Sequence, residues 1–340
     1  MRLPLFVVKW TNYEYWPWWF FYLPMMPYWL FLAMKTKSFT FFTATNTNME
    51  LGGFFGESKI DILRQIPATY LPLSHYIKTG TSWEQVQREI QEARLSFPLV
   101  AKPNIGERGF QVEKLQEMAQ LEAYHSGVSQ DYIVQEFLTY PIELGVLYCR
   151  LPNDVKGKVT SVTIKEFLKV KGDGSSSIAQ LMQQSDRARF QMEAVSVRWK
   201  GTIDRVLAKD EEMVLEPIGN HCRGTRFVSG QHLIQEPIHD VFDRIVADME
   251  GFHYGRFDLK VRSLEDLYQG EHIRIMELNG ASSEPGHIYD TSRGLFRAYK
   301  DLAYHWDLLA AIALQNRARK IEPVSFKKAL STFLHHFGIA

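Results

Sequence analysis

YGRFDLKVRSLEDLYQGEHIRIMELNG, Tyr254–Gly280, holds two short alternating runs separated by a loop, and the placement of its charges decides which fold to expect. In YGRFDLKV, strand alternation sends Phe257, Leu259 and Val261 one way and Arg256, Asp258 and Lys260 the other. A row of charges on one strand face needs solvent, mutual pairing or a charged ligand. In HIRIMELN, alternation puts Glu277 and Asn279 on a common face, with Leu278 between them free to enter a core. One carboxylate on the first strand, with a carboxylate and an amide on the second, makes an oxygen-donor set suited to Mg²⁺. For either strand alone, the plain alternative is a solvated edge with Arg–Asp and Lys–Glu pairs.

Working outward, FPLVAKPNIGERGF (Phe97–Phe110) places Lys102 at the exit of an apolar strand, followed by a loop containing Gly106 and Gly109. Glycines let main-chain amides approach a phosphate closely, and lysine is a natural point-charge partner for one. The loop is not a P-loop, because it lacks the GxxxxGK[ST] order.

Composition narrows the function class. Lys plus Arg and Asp plus Glu balance at 39 each over 340 residues, so neither a general nucleic-acid binder nor an acidic tail is expected. Cys149 and Cys222 form neither a disulfide framework nor a metal-binding spacing, which fits a reducing, cytoplasmic setting. WPWWFFYLPMMPYWLFLAM, Trp16–Met34, carries no charge and nearly reaches the length of a membrane span. Pro17, Pro24 and Pro27 argue against one regular helix, and Lys35 and Lys37 close the segment. Burial, a subunit contact in a homo-oligomer, attachment to the inner face of a membrane and a true membrane span are the readings it allows.

Patterning along the chain predicts small modules of mixed α and β structure. Residues 38–56 read as short strands with a glycine-rich turn, and Ser58–Leu63 as a short helix. A helix capped by Thr81 with Glu84 three residues on is expected next. Val112–Tyr124 has helical spacing, Gly157–Val170 reads as a long strand, and Ile178–Met192 as a polar helix. In PIHDVFDRIVADMEG, Ile238, Val241, Phe242, Ile245, Val246 and Met249 line one helical stripe. Helices are also expected around 298–313 and 325–336.

These pieces, taken in order from Glu57 to Asp290, resemble the ATP-grasp superfamily, in the style of D-alanine–D-alanine ligase-like and glutamate-ligase-like carboxylate–amine ligases. The resemblance implies an α+β fold with the nucleotide between two α/β subdomains, preceded by a short atypical N-terminal region. The expected division is 1–85, 86–190 and 191–340. Lys59 in ESKIDILRQIPATYLP resembles the upstream nucleotide lysine, Lys102 the second phosphate lysine, and NIGERG the loop folding over the phosphates. Glu136 in IVQEF falls at the adenine-side hinge and Glu143 at the ribose-binding acid. GRFDLK implies that Arg256 stabilises the transferred phosphoryl and the tetrahedral intermediate and that Asp258 binds Mg²⁺. MELNGASSEPGHI implies that Glu277 bridges two ions and Asn279 holds one.

VKGDGSSSIAQL resembles a segment of cyanophycin synthetase-like members, where Lys165 would reach the phosphates or an acyl-phosphate. The implied cofactors are ATP and one or two Mg²⁺ ions, and the implied substrates a small carboxylic acid and an amine. The chain departs from the D-alanine ligase type in its short, aromatic N-terminal region and in GNHCRGTRF (Gly219–Phe227), where His221, Arg223 and Arg226 could bind an anionic substrate. These departures argue against D-alanine itself. His287, just after the Glu-x-Asn motif, is a further candidate for substrate contact. The rival functions are phosphorylation of a small molecule without ligation and a non-catalytic nucleotide-binding scaffold.

Overall fold

The strands fall into two larger antiparallel sheets and a small two-stranded one, and the cleft between the larger sheets is where the charged residues meet. The computed structural model describes residues 2–106 and 109–336. Its helices are α1 (Leu5–Thr11), α2 (Trp18–Tyr22), α3 (Met26–Thr36), α4 (Lys59–Leu63), α5 (Trp83–Glu92), α6 (Met118–Gly127), α7 (Ile178–Gln183), α8 (Asp186–Phe190), α9 (Met192–Arg198), α10 (Glu236–Ile245), α11 (Leu264–Gln269), α12 (Leu295–Ala318) and α13 (Phe326–His336). The strands are β1 (Ser74–Ile77), β2 (Leu99–Pro103), β3 (Glu113–Leu115), β4 (Tyr132–Glu136), β5 (Ile142–Cys149), β6 (Lys158–Glu166), β7 (Lys169–Lys171), β8 (Glu212–Val214), β9 (Arg226–Ser229), β10 (Tyr254–Val261) and β11 (Ile273–Asn279). This mixed architecture meets the α+β expectation.

The first sheet has the order β1-β4-β2-β3 and packs on α5 and α6 through Val86, Ile90, Leu121 and Tyr124. The second has the order β11-β10-β5-β6-β9. The sheets divide the chain near residue 140, with β1 in the first and β5 and β6 in the second. The subdomain limits expected at 85/86 and 190/191 therefore do not coincide with them. Residues 168–215 form a separate small core around the two-stranded β7–β8 sheet and the helices α7, α8 and α9 that connect its strands.

Strand alternation gives the second sheet two unlike faces. Leu144, Val146 and Tyr148 of β5 and Phe257, Leu259 and Val261 of β10 pack on α10, whose expected stripe from Ile238 to Met249 is buried throughout. On the opposite face, Leu147, Cys149 and Tyr254 pack on α12, α3 and Phe41. Moving along that same face, β5 and β10 change from these apolar residues to Glu143, Gly145, Arg256, Asp258 and Lys260. One end of the face is thus core, and the other lines the cleft.

Several elements differ from expectation. Residues 38–56 form 3-10 turns at Phe41–Ala44 and Glu50–Gly52, not strands. Asn46 pins them: its amide donates to the Gly52 and Tyr254 carbonyls and accepts from the His253 and Tyr254 N–H groups. The helix expected from Thr81 is capped by Ser82, which accepts from Gln85 N–H. The helical spacing at 112–124 covers a short strand followed by α6. The helix expected at 178–192 is interrupted, because Ser185 leaves the helix to cap α8. In the aromatic segment, Pro17 and Pro24 mark breaks as expected, but Pro27 sits in the first turn of α3, where no amide donor is missed.

Phe242 is fully buried beneath β5 and β10, with its ring 5.2 Å from that of Phe257. Phe242→Ala is expected to cost about 3–5 kcal/mol, read as a lower urea midpoint at unchanged slope.

Candidate active site

A β-bulge brings the charged residues together. Across β10 and β11, Arg256 faces Asn279 and Asp258 faces Glu277, but Leu259 faces Ile275, leaving Met276 unpaired. Plain alternation along β11 would put Ile273, Ile275, Glu277 and Asn279 on one face. The extra residue resets the phase. Ile273, Ile275 and Leu278 therefore all enter the core, while Glu277 and Asn279 line the cleft. The carbonyl of Met276 accepts a 2.8 Å hydrogen bond from Lys102 Nζ of the other sheet. Lys102 also donates to Gln135 Oε1 at 3.3 Å. Burial pushes the Lys102 ammonium down to about 8, with Glu277 opposing that shift and Lys59 reinforcing it. The two sheets thus meet at the Lys102 ammonium.

Asp258 is the most heavily contacted carboxylate. Arg256 reaches it through Nε at 3.1 Å and through a second nitrogen at 3.2 Å, Lys165 lies 3.3 Å away, and the Asn279 amide donates at 3.4 Å. Burial alone would raise its pKa, but Arg256 and Lys165 outweigh burial and hold the carboxyl below its ordinary value. Burial likewise opposes the charge on Lys165, yet Asp258 and Glu143 overcome it and raise its pKa. Glu143 lies 3.3 Å from Lys165 and 3.7 Å from Lys260, and Lys260 also donates to the Leu138 carbonyl at 3.1 Å. Residues 136–138 connect the sheets at this point, and the Glu136 carboxylate accepts from Leu73 N–H at 2.9 Å.

The cleft measures about 720 Å³ and is lined by Lys59, Lys102, Gly106, Gly109, Glu136, Glu143, Lys165, His221, Arg256, Asp258, Glu277 and Asn279. Lys59 Nζ donates to the Gly106 carbonyl at 2.5 Å. Glu107 and Arg108 of the expected phosphate loop lie outside the described residues. The oxygens of Asp258, Glu277 and Asn279 occupy adjacent cross-strand positions. Gly145 of β5 faces Asp258, and a Cβ there would come within 3.2 Å of its carboxylate, so the bare glycine keeps space open beside the donor set. Hard oxygen donors with room beside them fit a Mg²⁺ ion. Asp266, Glu271 and His272 also cluster, away from the cleft, where Asp266 is held by Arg262 and Ser263 much as Asp258 is held by Arg256.

The basic candidates separate. His221 stays in the cleft, bonded to Glu14 at 3.2 Å and set against the rings of Phe227 and Tyr289. Arg223 does not line the cleft; it donates to the Gly109 and Val112 carbonyls and so ties down the far side of the glycine loop. Arg226 points to solvent beside Glu166. His287 is buried between Ser161, at 2.6 Å, and Asp301, at 3.0 Å; it braces the sheet and is not a cleft residue. Sequence reading passed over Glu14, Glu284 and Tyr289, and named Lys260 only as part of the charged row. Glu14 lines the cleft through a buried ion pair with Arg187 at 2.5 Å. Only its isolation as the sole acid in residues 1–49 could have marked it.

No family model matches this chain, and no curated protein matches it. Among solved structures it is similar to a bifunctional glutathione synthetase from Pasteurella multocida at 15% identity, over 70% of this chain and 36% of that one, with a TM-score of 0.35. It is similar to a D-Ala:D-Ser ligase from Enterococcus faecalis at 17% identity, over 72% of this chain and 57% of that one, with a TM-score of 0.40. It is also similar to a D-alanine–D-alanine ligase from Bacillus anthracis at 12% identity, over 77% of this chain and 68% of that one, with a TM-score of 0.41. The chain spans about a third of the first of these and little more than half of the second.

Gly219 shows how tightly the cleft is built. A Cβ at this position would lie 1.9 Å from Glu143 Oε1, and that carboxylate is already fixed by two lysines. Gly219→Ala is expected to cost about 1–3 kcal/mol in chemical denaturation. Most of that loss should disappear when the substitution is made in a Glu143→Ala background, since the clash and the displaced pairs share one side chain.

Proposed function

We propose that the chain is an ATP- and Mg²⁺-dependent ligase that joins a carboxylate to an amine through an acyl-phosphate, releasing ADP and phosphate. The observation that carries this reading is the meeting in one cleft of Lys59 and Lys102 with Lys165, Arg256, Asp258, Glu277 and Asn279. Phosphoryl transfer is mostly positioning and charge stabilisation, and this set supplies both.

Lys59 and Lys102 face the phosphates, the 136–138 connection borders the adenine, and Glu143, oriented by Lys165 and Lys260, accepts from the ribose. Asp258, Glu277 and Asn279 would hold one or two Mg²⁺ ions, which when bound neutralise phosphate oxygens and keep the reacting groups in line. An oxygen of the substrate carboxylate forms the new bond to the γ-phosphorus as the bond to the β-phosphate oxygen breaks and ADP leaves. The amine then bonds to the acyl carbon, phosphate departs, and the ammonium proton is lost to solvent. Arg256, kept cationic by Asp258, stabilises the oxyanion of the tetrahedral intermediate. An acyl-phosphate must be kept from water, and Trp16, Trp18 and Phe21 give the cleft an apolar wall.

Asp258→Asn and Glu277→Gln are each expected to lower Mg-ATP turnover by about a hundredfold or more, since each removes a charge used in the transition state. Normal turnover in both would sink the assignment. With pooled small acids and amines, the expected products are ADP, phosphate and a new amide mass. AMP with pyrophosphate would reject the acyl-phosphate route, and a phosphorylated acid without amide would favour the kinase alternative.

Lys102 predicts a pH dependence. Its protonated form binds phosphate, and in the free protein it titrates near 8. Below that pH, Mg-ATP affinity should be nearly independent of this group. Above it, binding must be accompanied by proton uptake, and affinity should fall by up to about tenfold per pH unit. Calorimetric titration between pH 7 and 9 checks this, and Lys102→Arg should flatten the profile.

A further inference from the structure

The helices α1, α2 and α3 bury one side and leave the other apolar and open. Val8, Phe21, Leu32 and Ala33 face inward, while Phe6, Trp10, Trp19, Leu30, Phe31 and Met34 are about half exposed or more, from 46% for Leu30 to 70% for Met34. On α3 the outward residues recur at helical spacing, so they form one stripe opposite the stripe that packs on α12. Trp10, Trp16, Trp19 and Phe20 join α1 to α2: Phe20 touches all three tryptophan rings, and Trp16 donates to the Trp10 carbonyl. Monomeric proteins rarely leave so much contiguous apolar surface without a partner.

Charge identifies the partner. Within residues 2–49 the exposed charged groups are Arg2, Lys9, Lys35 and Lys37, all cationic. Arg2 pairs with Asp186, but Lys9, Lys35 and Lys37 enter no ion pair among the described residues. Glu14, the one acid in the segment, is buried against Arg187 and His221 and offers nothing to the surface. A rim of one sign would repel a second copy of itself. It complements a surface of anionic headgroups, where tryptophan also favours the boundary between water and hydrocarbon. No helix among the described residues is long and apolar enough to cross a membrane, so contact would be in the plane of the interface.

We propose that α1, α2 and α3 dock this protein on an anionic lipid bilayer, with their exposed aromatic and aliphatic residues in the interface and Lys9, Lys35 and Lys37 against the headgroups. Trp18 is 65% exposed and also lines the cleft beside Trp16 and Phe21. Docking therefore places the cleft wall at the bilayer. The proposal is independent of what reaction the cleft performs.

The test is sedimentation of the full chain with vesicles of phosphatidylcholine alone, or containing about three-tenths phosphatidylglycerol, at physiological salt. Binding to the anionic vesicles, with a blue shift of tryptophan emission, is expected. It should fall at least about tenfold in the Trp19→Ser/Phe31→Ser/Met34→Ser variant and again in the Lys9→Glu/Lys35→Glu/Lys37→Glu variant. All changed positions are exposed, and circular dichroism and melting temperature verify that the variants fold. Absence of binding by the folded wild-type chain overturns the proposal, as does equal binding to neutral vesicles. A wild-type dimer that ignores lipid and becomes monomeric in the serine variant would assign the patch to a second copy.

Discussion

A charge removed from water needs a partner, and that constraint organises the cleft. Asp258, Glu143, Lys165, Lys260 and Arg256 are mutually paired beside an otherwise apolar sheet. Glu143, Lys165 and Asp258 each answer two others, while Arg256 and Lys260 end the chain with one each, so removing a central member would strand its neighbours. The set is drawn from β5, β6 and β10, so correct pairing also reports correct strand register. Lys102 extends the same requirement across the cleft: its ammonium finds a carbonyl on the opposite sheet, and the residual cost of burial appears as a lowered affinity for its proton.

How much of this was visible in the chain depended on whether the signal was local. Alternation in YGRFDLKV was enough to separate Phe257, Leu259 and Val261 from the charged row, and those residues do lie on opposite faces. The stripe on α10 was equally legible, because one helix face met one continuous core. The placement of Glu277 was right for an incomplete reason: the pair Glu277 and Asn279 share a face, but alternation counted from Ile273 would have buried them. Only pairing with β10 reveals the bulge. Sequence position alone did not show that His287 and Arg226 lie outside the cleft, because it carries no information about which way a side chain leaves the backbone.

The N-terminal region shows the opposite limit. Its prolines correctly excluded one long helix, while its composition could not distinguish burial from exposure. Both occur, on opposite sides of the same short helices. Phe21 and Leu32 are core residues, Phe31 and Met34 are surface, and Trp16 and Trp18 reach the cleft. Tyr13, through its bond to the Asp290 carbonyl, and Glu14, through Arg187 and His221, join this region to two other parts of the molecule. The aromatic segment is thus a wall of the cleft as well as a surface.

The bulge at Met276 makes β11 sensitive to length in a way that its composition conceals. Its side chain matters less than its presence, because the working group at this position is a main-chain carbonyl that every amino acid carries. Exchange of Met276 for another residue of similar size would leave that oxygen facing Lys102. Deletion of the same residue would leave plain alternation, with Glu277 and Asn279 still on the cleft face and Leu278 still in the core, but it would remove the bulge and the carbonyl that Lys102 reaches. The contact between the two sheets is thus indifferent to which side chain stands at Met276 and dependent on a residue being there.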